Sequence, residues 1–277
     1  MNDDEQEKIQ QAAQWILEAD AIWIGAGAGI GVDSGLPDFR GNEGFWKAYP
    51  PFHGKSFSQI ANPQNFFKDA RMAWGFYGHR LHLYRKTQPH LGFEILKSWI
   101  EKLQKPYYIY TSNVDGQFQK AGFDDKNIVE CHGSIHHFQC WTPCQKAIWH
   151  ETQAQLEIDP TSFRAQNDLP TCSLCGAIAR PNILMFGDYY WNSTRTEMQE
   201  MRYEKWLREH EDQKIVAIEL GAGTTITSVR NEARKFQLIR INPRESSVEN
   251  HAVHPAIGLA FGAKEGLLRI DEALKSS

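Results

Sequence analysis

Polar and apolar residues alternate at helical spacing from Glu5 to Glu18, and the chain then turns wholly apolar at Ala21-Ile22-Trp23-Ile24 before a run of glycines. The first pattern predicts an amphipathic helix, the second a buried strand that ends in a glycine-rich turn. Apolar runs of strand length recur at Tyr107–Tyr110, Asn127–Glu130, Ile183–Phe186, Ile215–Leu220 and Leu238–Ile241, with helical patterns between several of them. Strands alternating with helices predict an α/β fold, a Rossmann-like and mostly parallel sheet with helices on both faces. Two stretches break the alternation and predict a smaller lobe. Residues 41–89 are aromatic and largely helical in pattern, and residues 135–181 hold four paired cysteines. The large domain is then expected to be assembled from residues 1–40, 90–134 and 182–277.

Composition narrows the class. With 277 residues, 41% hydrophobic and 23% charged, the chain is ordinary globular protein long enough for one large domain or two modest ones. Its longest uncharged apolar stretch, Ala21 to Val32, falls well short of the roughly 20 residues that span a bilayer, so no membrane contact is expected. The opening MNDDEQEKIQ is acidic, unlike a secretory or mitochondrial leader, which predicts a cytoplasmic protein. A formal charge of −4 gives no overall pull towards nucleic acid.

Chemistry enters at the end of the first predicted strand, Gly25-Ala26-Gly27-Ala28-Gly29-Ile30-Gly31. Glycines there let backbone amides approach a pyrophosphate, and a following helix N-terminus adds favourable charge, so a dinucleotide is the expected ligand. The stretch is not the dehydrogenase fingerprint G-x-G-x-x-G, since Ile30, Val32 or Ser34 would have to be glycine. The five cysteines are too clustered for a disulfide scaffold. Cys140-x3-Cys144 and Cys172-x2-Cys175, 27 residues apart, are two chelating hooks that predict one structural Zn2+ held by four thiolates. His136 and His137 nearby leave a different ligand set open, and Cys131 is the odd thiol, expected to be buried in a strand.

The continuation Leu36-Pro37-Asp38-Phe39-Arg40-Gly41 resembles the signature of the sirtuin family of NAD-dependent protein deacylases. The likeness extends in family order through Thr111-Ser112-Asn113-Val114-Asp115-Gly116, Glu130-Cys131-His132-Gly133-Ser134, Phe186-Gly187-Asp188, Gly223-Thr224-Thr225 and Ile241-Asn242. It implies that NAD is the co-substrate, with Gly25, Ala26, Gly27, Asp38, Phe39, Arg40, Ser112, Asn113, Val114, Asp115, His132, Gly221, Gly223, Thr224 and Asn242 around it. In that reading Asp115 and the Val114 backbone hold the nicotinamide carboxamide, Asn113 contacts the ribose and ordered water, Phe39 covers the reactive ribose face and Arg40 binds phosphate. His132 is the general base, an imidazole with pKa near ~6.5 being suited to take a ribose proton and return it. The substrate would be an acylated-lysine protein or peptide lying extended near Phe186 and Gly187, and the products nicotinamide, free lysine and acylated ADP-ribose.

Acyl preference is read from Tyr77 and Arg80. Within sirtuins this Tyr-x-x-Arg pair resembles members that remove succinyl, malonyl or glutaryl groups, and on a helix i and i+3 share a face. An aromatic packed inward beside a solvated arginine is the competing reading. Three departures from the family pattern stand out: Ser112 in place of glutamine, His90 in place of asparagine and Arg230 near a customary proline. NAD hydrolysis or ADP-ribosyl transfer on the same fold, and a non-catalytic NAD-sensing module, are the alternatives. A monomer is expected.

Overall fold

The structure is a computed structural model that describes residues 3–38, 41–141, 144, 147–249 and 253–276, with the side chains of residues 41–44 not described. Nine strands alternate with helices among these residues. The strands are β1 (Ala21–Ala26), β2 (Tyr107–Thr111), β3 (Ile128–Glu130), β4 (Gly133–Cys140), β5 (Ile148–His150), β6 (Ala179–Ile183), β7 (Ile215–Leu220), β8 (Gln237–Ile241) and β9 (Ala256–Leu259). The helices are α1 (Asp3–Glu18), α2 (Gly41–Ala48), α3 (Phe57–Ile60), α4 (Gln64–Lys68), α5 (Ala70–Lys86), α6 (Leu91–Leu103), α7 (Gln117–Lys120), α8 (Thr194–Glu209), α9 (Ser228–Ala233) and α10 (Ala263–Ser276). Among the described residues no helix is long and apolar enough to cross a membrane.

Six strands form one parallel sheet in the order β3-β2-β1-β7-β8-β9. The predicted alternation holds because side chains of successive residues leave a strand on opposite faces. Ile22, Ile24, Ile109, Ile218 and Ile239 pack on one face against Ile9, Ile16, Phe93, Leu96, Leu267 and Ile270 of α1, α6 and α10. Trp23, Tyr108, Val129, Ala217 and Leu238 pack on the other, against Tyr203 and Trp206 of α8 and Val229 of α9. Strand β9 carries only Ala-Ile-Gly-Leu, too short a run to announce itself in the sequence.

A second, aromatic core joins the two irregular stretches. Phe45, Tyr49, Phe52, Trp74 and Phe76 from residues 41–89 share it with Phe138, Leu156 and Ala179. The Trp74 indole donates to the Ala179 carbonyl at 3.0 Å, and Arg71 Nη1 donates to the carbonyls of Ala165, Gln166 and Asn167 at 2.8, 2.9 and 3.0 Å. Here β5-β4-β6 form a small antiparallel sheet. This corrects one expectation: Ile183–Phe186 is not a strand of the parallel sheet. Strand β6 ends at Ile183, pairs with β4, and leaves Leu184 and Phe186 part-exposed on a loop. A further correction concerns the turn after β1, which runs into a 3₁₀ segment, Ala28–Ser34, and not into an α-helix.

Only Cys131 and His132 separate the edge strand of the parallel sheet, β3, from the first strand of the small sheet, β4. Gly133 makes that swing possible. Its φ is +78°, and a Cβ there would sit 2.1 Å from the Asn182 carbonyl oxygen, so any other residue would be strained and would push β4 off β6.

Candidate active site

In a parallel sheet the carboxyl ends of all strands lie along one edge, and the loops that leave them meet above it. The loops after β1, β2, β3 and β7 meet there with residues of α3 and α5 and the loop after β6. Together they enclose a cavity of about 670 Å³. Of the residues singled out from the sequence, Gly27, Asp38, Ser112, Asn113, Val114, Asp115, His132, Gly223, Thr224, Gly221, Tyr77, Arg80 and Phe186 line it. Gly25, Ala26, Gly187 and Asn242 are not on its wall. Gly25 and Ala26 are buried inside β1, and Asn242 is buried behind the loop that follows β7. Phe39 and Arg40 lie outside the described residues.

Hydrogen bonds tie the loops to one another. Asn113 Nδ2 donates to the Gly27 carbonyl at 3.0 Å, the Ser112 amide to Ala26 O at 3.1 Å, and the Gly29 amide to Gly221 O at 3.1 Å. Gly221 has φ +60° and approaches Gly29 so closely that a Cβ would meet the Gly29 backbone at 2.4 Å. Asn242 Nδ2 donates to Ala222 O at 3.0 Å, while its Oδ1 accepts from the amides of Arg244 and Glu245 at 3.1 and 3.0 Å. Its place is thus to hold the loop that presents Gly223, Thr224 and Glu245, with Thr224 Oγ1 donating to Glu245 at 2.7 Å.

His132 sits half-buried between the two sheets, with the Ser228 hydroxyl 3.4 Å from its Nε2. Burial pushes its pKa below the ordinary histidine value, opposed by the nearby Ser112 carbonyl, so the ring is neutral at pH 7 and able to accept a proton. Asp115 stands across the cavity wall, where its carboxylate accepts from the Gln117 amide at 2.9 Å. Burial outweighs that bond, and Glu130 adds to it, raising the carboxyl to about 6. Cys131, next to His132, is an inert thiol pushed up to about 12 by burial.

Tyr77 and Arg80 both face the cavity and are almost fully buried, so the arginine is not the solvated one of the competing reading. Tyr84, which the sequence reading missed, also lines the cavity and fixes the guanidinium: Arg80 Nε and Nη2 donate to its hydroxyl at 3.0 and 2.8 Å. The signal was its i+4 spacing from Arg80 on α5. The guanidinium also lies over the rings of Phe76, Tyr77 and Tyr84 at 5.3, 5.8 and 5.3 Å. Phe57 and Ala61 are further wall residues without a sequence signal. They dock the loop after β6, the Phe186 amide donating to Ala61 O at 3.0 Å and the Phe57 and Phe186 rings meeting edge-on at 5.9 Å.

The departures have local reasons. His90 caps α6: its Nδ1 accepts from the Gly92 amide at 2.9 Å, and its Nε2, which must then carry the proton, bonds Ile30 O at 3.0 Å. Arg230 braces the loop after β7, donating to Ala222 O from Nε and Nη2 at 3.2 and 2.9 Å and to Glu245 O at 2.7 Å. Ser112 is on the cavity wall.

Away from the cavity, the sulfurs of Cys140, Cys144, Cys172 and Cys175 lie within 4.8 Å of one another. The pairs Cys140–Cys175, Cys140–Cys144 and Cys144–Cys172 are 3.5, 3.4 and 3.7 Å apart. Thiolates bound to tetrahedral zinc at ~2.3 Å stand roughly 3.8 Å from one another, so this donor set fits one structural zinc ion. His136 and His137 are not in the cluster. The first bonds Asp115 O at 2.9 Å and the second meets His150 with the rings tilted by 44°.

A family model described as the Sir2 family matches residues 27–207. Over 259 residues the chain is 32% identical to NAD-dependent protein deacylase 1 of Archaeoglobus fulgidus, covering 92% of this chain and 94% of that one. It is 33% identical over 162 residues to an NAD-dependent protein deacylase of Aquifex aeolicus, an alignment that takes in 58% of this chain and 59% of the relative's length. Among solved structures, a mutant Sir2 homologue in complex with ADP-ribose superposes with a TM-score of 0.70 at 25% identity, covering 100% of this chain and 97% of that one.

Proposed function

The chain belongs to the Sir2 family, and from that membership we propose that it is an NAD-dependent protein lysine deacylase. One observation carries the reading. The Gly27–Gly29 turn, the Ser112–Asp115 loop, His132 and the Gly221–Ile226 loop, which are scattered over some two hundred residues, converge on one cavity.

NAD, as co-substrate, would supply the glycosidic bond that breaks: the acyl oxygen of the substrate bonds to the ribose carbon and nicotinamide leaves with the electron pair. The chain's own residues do the rest. Amides of the loop at Gly223 would face the phosphates without side chains in the way, those of Gly27 and Gly29 being bonded already to Leu220 O and Gly221 O. Asp115 and the Val114 backbone hold the carboxamide, and Asn113, pinned to Gly27, sits at the ribose. His132, neutral at pH 7, takes the proton from a ribose hydroxyl and returns it when the acyl group has been transferred. The apolar wall of Leu36, Val114, Ile183 and Phe186 keeps water from the reacting carbon.

Tyr77 and Arg80 supply a phenol and a guanidinium at the acyl end of the cavity. This supports a preference for acyl groups that end in a carboxylate, with the Tyr84 hydroxyl holding the guanidinium in place. The four cysteines hold the structural zinc, far in role from the chemistry. The setting we infer from the sequence is a cytoplasmic monomer acting on protein substrates.

The test is to incubate the purified chain with NAD and a panel of acetyl-, succinyl-, malonyl- and glutaryl-lysine peptides, following nicotinamide and peptide mass together. Equimolar nicotinamide and deacylated peptide, fastest with the acidic acyl groups, are expected. Nicotinamide release without any change in peptide mass would replace this reading with NAD hydrolysis or ADP-ribosyl transfer.

A further inference from the structure

A second cleft, of about 390 Å³, lies between α8 and the outer hairpin of the small sheet. One wall is made by Thr194, Arg195, Met198, Gln199 and Arg202, which recur at helical spacing along one face of α8. The opposite wall is His137 and His150, direct partners across the β4–β5 pair, with ring centroids 4.9 Å apart. None of these residues lines the large cavity.

The cleft is rich in donors that the protein itself leaves unused. Arg195 Nη1, Gln199 Nε2 and His137 Nδ1 are buried, and each lacks a hydrogen-bond partner among the described residues. Gln199 is almost wholly inside the protein at 1% exposure, its Oε1 already accepting from the Glu130 amide at 3.0 Å. Buried donors without a partner cost free energy and are rare unless something binds them. The two arginines sit two helical turns apart on one face of α8, whose first amide, that of Thr194, already donates to Asn192 Oδ1 at 3.2 Å.

Carboxylates are present too, and they set the balance. Glu130 is engaged by Arg195 Nη2 from behind, and Asp125, at the rim, lies 3.6 Å from the same nitrogen. His137, on the facing wall, is held at about 3 by burial first and then by the nearby Arg195, His150 and His136.

We propose that this cleft binds a small phosphate-bearing anion, held by Arg195, Gln199, Arg202 and His150. The volume admits a phosphorylated metabolite and not only a bare ion. Because α8 and the small sheet each supply one wall, such a ligand would tie the two bodies together at a place distinct from the cavity that holds His132.

The test uses the full chain with its zinc in place and inorganic phosphate as probe. Arg195→Ala would strand the buried Glu130 carboxylate and unfold the site for trivial reasons, so the double variant His150→Ala/Arg202→Ala at the rim is used, with its thermal midpoint checked against the parent. Phosphate titrated against the histidine ring protons by NMR should move the His137 and His150 signals together. Calorimetry should give an affinity at least tenfold weaker in the double variant. Equal affinity in parent and variant, or shifts confined to His132, would place the phosphate elsewhere and overturn the proposal. So would Ni2+ shifting the His137 and His150 signals at concentrations where phosphate does not.

Discussion

Truncating Asp188 tests how the loop after β6 is held against the cavity. Asp188 and Arg180 are both fully buried, at 0% side-chain exposure, and face each other as a two-pronged ion pair. Arg180 Nη2 also donates to Ile183 O at 3.0 Å, and Asp188 accepts from the Met185 and Tyr190 amides at 3.3 and 3.2 Å. One carboxylate thus gathers both ends of the loop that carries Leu184, Met185 and Phe186 to the cavity wall. Asp188→Ala leaves a guanidinium in the interior with no counter-charge, a loss worth about 3–5 kcal/mol. Against a total stability of about 5–15 kcal/mol, that lowers the thermal midpoint by roughly 10 °C. Replacing both partners with apolar residues, Arg180→Met/Asp188→Leu, removes the orphaned charge and should recover most of that loss. It cannot restore the acceptor for the Met185 and Tyr190 amides. Denaturant unfolding followed by circular dichroism, with KM for an acyl-lysine peptide measured beside it, separates the two effects: the double variant regains stability and keeps a raised KM. A single variant that costs less than about 1 kcal/mol, or a double variant that regains peptide affinity together with stability, would refute this reasoning.

Three other outcomes follow from the geometry. His132→Ala should leave the thermal midpoint unchanged while lowering formation of deacylated peptide by about 10²–10⁴-fold, and in the parent enzyme the acid limb of kcat/KM should lie below the ordinary histidine value, because burial lowers the pKa of this ring and protonation removes the base. Asp115, raised from 3.8 to about 6, holds its proton more tightly folded than unfolded, so its burial penalty is absent below pH 3.8, grows up to about pH 6 and is complete above it. Asp115→Asn should therefore stabilise the protein at pH 7 by about 1–3 kcal/mol, the lower end being favoured because the group opens onto the cavity, have no effect at pH 3.5, and reduce turnover at both. Removing zinc with a chelator should release one ion per chain and change the fluorescence of Trp74, Trp141 and Trp149 in the aromatic core; elemental analysis without zinc would sink that reading.

How far the sequence reveals this molecule depends on what its apolar runs are for. The strands of the parallel sheet are legible because each is covered on both faces, so Ile22, Trp23 and Ile24 must all be apolar, and no turn residue interrupts them. Ile183–Phe186 carries the same signature for another reason: Ile183, Leu184, Met185 and Phe186 are the wall of a ligand cavity. A cavity wall and a buried strand present the same composition, and only pairing tells them apart. The small sheet was hidden for a related reason. Strand β4 pairs with β6 across some forty residues, and its outer hairpin partner β5 is part-exposed, leaving no alternation to read. Among site residues, those on short loops after strands announce themselves through Gly, Asn, Asp and His in fixed local order. Tyr84 and Phe57 do not, since each reaches the cavity from a helix whose position is set by tertiary packing.

The placement of His132 links these two bodies mechanically. Strand β4 has eight residues and bulges between Ser134 and Phe138, so it is a kinked rod whose two ends pair with residues only four apart on β6. One end is Gly133, next to His132, and the other is Cys140, a member of the thiolate cluster. Pairing of Gly133 with Ile183 and of Cys140 with Ala179 clamps both ends of the rod to β6. The Leu184 amide then donates to the His132 carbonyl at 2.9 Å, so the imidazole is oriented by the same loop that Arg180 and Asp188 secure. A zinc site with no access to the reacting atoms still bears on the base, because it fixes the far end of the strand from which that base hangs. The small sheet is on this argument a lever as well as a wall, and the swing at Gly133 is its fulcrum.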